Sequence, residues 1–244
     1  MLLTAIAAGA LYNQAALLLF FQKQRLHTLD FQKDPLPAKT FGKLWPHRVN
    51  SLERFALLKE SFNGMEADVV FETDAKQFLV YHPPFTGHIL PLAALLQETV
   101  RWKKRLWLDM RGVDSSNYRD AFTALTNLNN STGFRPYVIV ELYDIVAANF
   151  FADQGYSTAI NIAPQILKTK DESLALRAKL HASIQYVSQE DLYLEPLKAY
   201  FPSHKIITWS PSFRNYIYLQ HFQQLINDTQ VAVVLVNIKS RYRY

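Results

Sequence analysis

The sequence predicts an α/β fold built as a TIM-type (β/α)8 barrel, and three observations support this prediction. The chain has 244 residues, close to the roughly 250 of a single barrel. Short apolar runs alternate along it with segments of helical periodicity, which is typical of α/β proteins. Runs such as 137–140 and 231–236 are apolar almost throughout, as expected for parallel strands buried on both faces.

Eight strands are predicted, with seven helices between them. The strands are expected at 44–49, 67–71 with an extension at 78–81, 105–110, 137–142, 158–163, 183–188, 205–209 and 231–237. The helices are expected at 51–62, 89–101, 117–129, 143–154, 170–180, 189–200 and 213–226. Seven residues follow the last strand, so the eighth helix is expected to be short or missing.

The chain divides into three predicted segments. Residues 1–21 form an apolar run without charges, expected to be a membrane-anchor or signal-like helix, since such a run just spans a hydrocarbon core of about 30 Å. A buried or interfacial helix is the alternative. Residues 22–43 are expected to be a linker, and 44–244 the barrel. Lys23 and Arg25 favour a cytoplasmic barrel tethered to the membrane, whereas a cleaved signal would make the protein secreted or periplasmic.

Composition narrows the classes of function. The absence of cysteine excludes disulfides and thiolate metal ligands. The net charge is +5, and the densest basic cluster, 101–105, directly precedes a predicted strand. Such a cluster is typical of a solvated helix end, so no nucleic-acid partner is expected. A mild attraction to phosphate-bearing substrates or anionic membranes is what this charge supports.

Acidic side chains gather where the predicted strands end, which is where barrel enzymes carry their active sites. Glu66 and Asp68 are two residues apart, so in a strand both point to the same face. Asp109 ends the neighbouring predicted strand. Carboxylates held side by side repel one another and favour a bound cation. Three oxygen ligands suit a hard divalent ion, Mg²⁺ or Ca²⁺.

Basic side chains stand at the same strand ends. Imidazole titrates near neutral pH, so His47 and His82 are candidates for the base or nucleophile and for the acid on the two sides of a phosphodiester. Arg48 and Arg111 are candidates to bind the phosphate oxygens of the substrate, because guanidinium groups suit them.

These residues resemble the signature of the glycerophosphodiester phosphodiesterase superfamily, the PLC-like phosphodiesterases. Its pattern of HR, ExDV, TD and a second H is matched by His47-Arg48, Glu66-Ala67-Asp68-Val69, Thr73-Asp74 and His82. The segments HRVNS, from His47, and HPP, from His82, resemble the menorin-related branch still more. The arrangement is also similar to spider-venom sphingomyelinase D. The motifs lie within about residues 44–112.

The resemblance implies that Glu66, Asp68 and Asp109 bind one divalent cation while His47 and His82 carry out catalysis. Three features depart from the typical pattern. No Pro-Glu-Asn-Thr segment follows the first HR pair, although Glu53 stands nearby. Pro83 replaces the usual Asp after the second His, and Arg111 replaces the usual Lys after the third acid.

Trp209, at the end of predicted strand seven, resembles a rim tryptophan of the superfamily and is expected either to contact the substrate or to plug the barrel. Four further polar residues near predicted strand ends are expected mainly to form structural hydrogen bonds: Glu141, Asn161, Gln185 and Tyr186.

A metal-dependent phosphodiesterase is therefore expected, acting on a lysophospholipid, a glycerophosphodiester or a related headgroup. Attack by water and attack by an internal substrate hydroxyl, which would give a cyclic phosphate, both remain open. The alternative is a non-catalytic binding or scaffold protein on the same barrel, because a fold does not fix a function. Retention of both histidines and all three acids argues against that alternative.

Overall fold

The computed structural model describes residues 42–84, 89–209 and 224–237. Its strands are β1 (Leu44–Pro46), β2 (Gly64–Glu72), β3 (Gln77–Val80), β4 (Leu90–Pro91), β5 (Arg105–Arg111), β6 (Val138–Leu142), β7 (Thr158–Asn161), β8 (Tyr186–Glu190), β9 (Lys205–Trp209) and β10 (Val231–Val236). Its helices are α1 (Leu52–Leu58), α2 (Leu92–Arg101), α3 (Tyr118–Thr132), α4 (Ile145–Asp153), α5 (Lys170–Arg177) and α6 (Leu194–Tyr200). Residues 224–227 are also helical.

The strands form one curled sheet in the order β1-β10-β9-β8-β7-β6-β5-β2-β3-β4. Neighbours from β1 to β2 in this order are parallel, whereas β3 and β4 are antiparallel additions beyond β2. The curl brings β1 back to β2, since the Val49 N–H just after β1 donates to the Glu66 carbonyl at 2.7 Å. The predicted α/β fold of TIM-barrel type is confirmed.

The parallel strands have an apolar core on each face. The larger core lies between strands and helices and includes Val69, Leu108 and Val140. Alternate residues point into the barrel instead, where a second core contains Trp45, Trp107, Ile139, Ala159, Ile207, Val233 and Leu235. This inner layer forms the floor beneath the strand ends, because the polar residues of β2, β5 and β6 follow it towards their carboxyl ends.

Side-chain N-caps mark the first turns of α1 and α4. The Ser51 hydroxyl accepts the Arg54 N–H and begins α1, directly after the 47–50 loop. The Asp144 carboxylate accepts the N–H groups of Val146 and Ala147 and begins α4, directly after β6. The loops that follow β1 and β6 are therefore short, and each ends at the residue that caps the next helix.

Several predicted boundaries are wrong. The strand expected at 183–188 runs over Tyr186–Glu190, so Gln185 and Tyr186 stand at its beginning instead of near its end. The helix expected at 189–200 starts only at Leu194. The helix expected at 89–101 starts at Leu92, because residues 90–91 pair with β3 as a short strand. The extension expected at 78–81 is a separate strand that turns back antiparallel to β2.

The predicted segments 1–21 and most of 22–43 lie outside the described residues, as do residues 238–244 and most of the helix expected at 213–226. Among the residues that the structure describes, no helix combines the length and apolar character needed to cross a membrane. The anchor or signal-like helix therefore stays a prediction.

Gly64, the first residue of β2, packs against the inner core so closely that a side chain would not fit. A Cβ there would lie 2.1 Å from Cε2 of the buried Trp45 ring. We expect Gly64→Ala to lower the free energy of unfolding by about 1–3 kcal/mol through overpacking. The measurement is urea unfolding. Gly42→Ala is the matched control, since nothing lies within 4 Å of its Cβ position; equal stabilities of the two variants would contradict this packing.

Candidate metal and phosphodiester site

Three carboxylates meet on one face of the paired strands β2 and β5. Glu66, Asp68 and Asp109 are all buried, and each offers an oxygen that lies within 4.8 Å of the other two. The strand register explains the meeting, because Asp68 and Asp109 are partners in the parallel β2–β5 pairing and Glu66 is on the same face two residues earlier. The structure thus brings the three predicted metal ligands together.

The loop after β1 forms hydrogen bonds with the two carboxylates of β2. The Arg48 backbone N–H donates to Glu66 Oε2 at 2.6 Å. The Asn50 side chain donates to Asp68 Oδ2 at 2.8 Å and accepts the Asp68 backbone N–H at 3.0 Å. Arg48 adopts a left-handed backbone with φ of 59°, which costs about 1–3 kcal/mol in a residue with a side chain. That conformation occurs in the residue whose N–H contacts the Glu66 carboxylate.

The two predicted histidines flank the acids. His47 Nε2 lies 3.7 Å from Glu66 Oε2, and its Nδ1 lies 3.0 Å from the Asn237 side-chain oxygen. That contact requires the proton on Nδ1, because an amide oxygen only accepts; the Nε2 lone pair of His47 then faces the acids. His82 Nε2 lies 3.9 Å from Asp68 Oδ1. The β2–β3 hairpin returns His82 to this level, as the Tyr81 N–H donates to the Asp68 carbonyl.

Two arginines reach the cluster from different loops. Arg48 Nη2 lies 3.2 Å from His82 Nε2, and its Nε lies 3.9 Å from Asp68 Oδ2. Arg111, at the end of β5, donates to Asp109 Oδ2 at 2.8 Å and lies 3.7 Å from Asp68 Oδ1. The Arg48 and Arg111 side chains are 53% and 38% exposed, against 1% for Asp68. Both guanidiniums are therefore open to a ligand that approaches from solvent.

Burial and mutual repulsion shift the pKa values of the buried acids. Burial raises the pKa of Glu66 well above its ordinary range, and the charges of Asp68 and Asp109 raise it further. Burial raises the pKa of Asp109 despite the opposing charge of Arg111. Burial lowers the pKa of His47, which favours its neutral form. Burial and mutual repulsion therefore both oppose full ionisation of Glu66 and Asp109.

The geometry fits a single hard cation. Two oxygens that share an ion at about 2.4 Å are at most about 4.8 Å apart, which matches the spacing of Glu66, Asp68 and Asp109. All three donors are carboxylates, the chemistry that Mg²⁺ and Ca²⁺ prefer. The donor set therefore fits the predicted divalent ion.

A fourth carboxyl group, Glu141, lies beside the cluster on β6, in register with Asp109. It is 2% exposed and accepts hydrogen bonds from the Trp107 indole at 2.9 Å, from Asn161 at 3.3 Å and from the Ser188 hydroxyl. Burial raises the pKa of Glu141 to about 8 despite these donors. The network joins β5, β6, β7 and β8 below the mouth of the barrel.

Trp209 ends β9, and its ring lies against the floor of the site. Its centroid is 6.2 Å from that of Trp107, with the rings inclined at 51°. Trp209 is partly exposed, whereas Trp107 is buried. Trp209 therefore covers the inner core while part of the residue stays exposed.

Three residues were given no role from the sequence, although they contact the predicted site. Asn50 binds Asp68, Asn237 binds His47, and the Tyr143 hydroxyl donates to Asp109 Oδ1 at 2.7 Å. Asn50 lies within the HRVNS segment and Tyr143 directly follows predicted strand four, so their positions were the available signals. Asn237 comes from the opposite end of the chain, and its partner depends on barrel closure.

Comparisons with protein-family models and with curated proteins found no match. Among solved structures, a glycerophosphodiester phosphodiesterase from Parabacteroides distasonis has a TM-score of 0.59 and 15% identity, covering 80% of this chain and 92% of that one. The enzyme from Thermotoga maritima has a TM-score of 0.56 and 14% identity, covering 79% and 92%.

An Oleispira antarctica phosphodiesterase, solved with the product sn-glycerol-3-phosphate, has a TM-score of 0.55 and 11% identity, covering 81% of this chain and 94% of that one. At these identities the likeness establishes the shared fold. It extends over nearly the whole of each of these proteins.

The raised pKa of Glu141 predicts a pH dependence of stability. Its folded-state pKa of about 8 exceeds the ordinary value near 4.5, so the folded state holds the extra proton between these values and stability falls as pH rises through that window. One such group contributes a slope of at most about 1.4 kcal/mol per pH unit.

We expect Glu141→Gln to flatten this fall in part, as measured by urea unfolding between pH 5 and pH 8.5, a range set by that window. Glu195→Gln is the control, because the Glu195 side chain is 82% exposed. An unchanged slope in Glu141→Gln would show that Glu141 is ionised in the folded protein.

Proposed function

We propose that this protein is a metal-dependent phosphodiesterase of the glycerophosphodiester phosphodiesterase superfamily. The observation that carries the proposal is the convergence of Glu66, Asp68 and Asp109 between two histidines. The acids lie on the carboxyl side of the inner apolar layer, towards the end of the barrel at which such enzymes hold their active sites. The fold shared with solved phosphodiesterases supports the same conclusion.

Charge favours a phosphodiester as the ligand. The three carboxylates would be offset by a divalent cation and by the guanidiniums of Arg48 and Arg111, leaving one net positive charge. A phosphodiester carries one negative charge, so it would complete the balance. Guanidinium groups also bind phosphate oxygens through directed hydrogen bonds.

The two histidines suit the two proton transfers of phosphodiester cleavage. His47, kept neutral by burial and hydrogen-bonded to Asn237 through Nδ1, has Nε2 available to take a proton from the attacking water or substrate hydroxyl. When Arg48 turns to a phosphate oxygen, Nε2 of His82 would be free to take up a proton from solvent, which it would then donate to the departing oxygen. A bound cation would supply polarisation of the phosphoryl group and neutralise its developing charge.

The substrate class is proposed to be a lysophospholipid, a glycerophosphodiester or a related headgroup. Two exposed apolar side chains support an amphiphilic substrate. Val146 and Leu192 follow β6 and β8 at the open face of the barrel, and they are 47% and 46% exposed. Association with a membrane through residues 1–21 is part of the same proposal, and Trp209 is proposed to contact the bound molecule.

The test is turnover by the full chain, purified in a mild detergent, of a chromogenic phosphodiester, glycerophosphodiesters and lysophospholipids with Mg²⁺, Ca²⁺ or EDTA. We expect cleavage that requires the metal and falls by about 10²–10⁴-fold in His47→Ala and in His82→Ala. Asp68→Asn should abolish the activity.

His181→Ala is the control. His181 contacts Asp153 at the opposite end of the barrel, before β8. Activity that survives both site-histidine substitutions would refute the catalytic assignment. Metal binding without turnover of any of these substrates would favour the non-catalytic binding or scaffold alternative.

A further inference from the structure

Tyr143 stands between the acidic cluster and solvent. It directly follows β6 and directly precedes Asp144, the residue that caps α4. Its hydroxyl donates to Asp109 Oδ1 at 2.7 Å, whereas the residue as a whole is 46% exposed. Its position is therefore held on one side by the helix cap and on the other by the carboxylate.

Each acid of the cluster has its own hydrogen-bond donor from a neighbouring loop. Glu66 accepts the Arg48 N–H, and Asp68 accepts the Asn50 side chain. Tyr143 provides the equivalent contact to Asp109, on the oxygen that Arg111 does not use. A carboxylate has about four lone-pair sites, so one donor on each oxygen orients the group and leaves sites open for an ion.

Arg111 is expected to leave Asp109 more readily than Tyr143 does when a substrate binds. The guanidinium lies within 3.7 Å of Asp68 as well, and it is exposed enough to turn towards a phosphate. The Tyr143 hydroxyl donates to Asp109 Oδ1 at 2.7 Å and is uncharged, so a bound phosphate would attract it less strongly than it would attract a guanidinium. Its hydrogen bond would persist when Arg111 engages a substrate.

We propose that Tyr143 is a positioning residue that orients Asp109 for binding of the divalent cation, acting through its hydroxyl group. The proposal rests on the metal centre proposed above. Partners that orient metal ligands in this way typically change metal affinity by about 10- to 100-fold when they are removed.

The experiment is a titration of the full chain with Mn²⁺, in which free Mn²⁺ is followed by electron paramagnetic resonance in the absence of substrate. We expect Tyr143→Phe, which keeps the ring, to weaken Mn²⁺ binding by about 10-fold. Tyr143→Leu should weaken it equally, since both variants lack the hydroxyl. Tyr200→Phe, at the end of α6, is the matched control and should bind as the wild type does.

Turnover provides a second measurement. In Tyr143→Phe the metal concentration for half-maximal activity should rise by the same factor as the Mn²⁺ dissociation constant, and saturating metal should restore kcat. A purely structural defect would not be rescued by metal. A permanently lowered kcat with unchanged Mn²⁺ affinity would overturn the proposal.

A double-mutant cycle separates this inference from the proposed function. Asp109→Asn should weaken Mn²⁺ binding strongly, and Tyr143→Phe should then add nothing. Wild-type affinity in Asp109→Asn would refute the metal centre itself. If Asp109→Asn strongly weakens Mn²⁺ binding but Tyr143→Phe binds Mn²⁺ as the wild type does, only the role of Tyr143 is refuted. The same conclusion follows if Tyr143→Phe weakens Mn²⁺ binding equally in the wild-type protein and in Asp109→Asn.

Discussion

Repulsion among three buried carboxylates is the constraint on which the arrangement of the site depends. Glu66, Asp68 and Asp109 lie within 4.8 Å of one another and are almost entirely shielded from water. Desolvation and like charge both disfavour their ionised forms, so the cluster persists only with donors, protons or a cation nearby. The surrounding loops supply the donors, and the ordered geometry of the acids follows from these contacts.

The left-handed backbone of Arg48 illustrates how the loops meet this constraint. A residue with a side chain adopts that conformation at a cost of about 1–3 kcal/mol, and its N–H donates to Glu66 at 2.6 Å. Asn50 pairs twice with Asp68 from the same loop. The loop is short because α1 begins directly after Ser51. Its four residues therefore include a histidine, an arginine and the groups that form three hydrogen bonds with Glu66 and Asp68.

The apolar layer inside the barrel acts on the same site from below. Trp45 and Trp107 fill the interior, and the Trp107 indole donates to Glu141, which in turn accepts from Asn161 and Ser188. This layer excludes water beneath the acids, which strengthens every electrostatic effect above it. Stability and site chemistry are therefore linked, because the same burial that builds the core raises the pKa values of the carboxyl groups.

Much of the fold and of the candidate site followed from local patterns. The almost uniformly apolar runs 137–140 and 231–236 identified parallel strands, and the spacing of Glu66 and Asp68 placed both on one face of β2. Patterns failed where pairing decided the structure. Residues 90–91 are a strand because β3 lies beside them, and β8 extends to Glu190 because β9 offers partners as far as Trp209.

Residue types and short spacings were sufficient to predict the fold class, the order of the strands along the chain and the set of acids, histidines and arginines. The antiparallel return of His82 to Asp68, the contact of Asn237 with His47 and that of Tyr143 with Asp109 depend on the tertiary structure. Those contacts join residues up to 190 positions apart. Only the antiparallel hairpin and the closure of the barrel bring such residues together, and neither leaves a local signal in the chain.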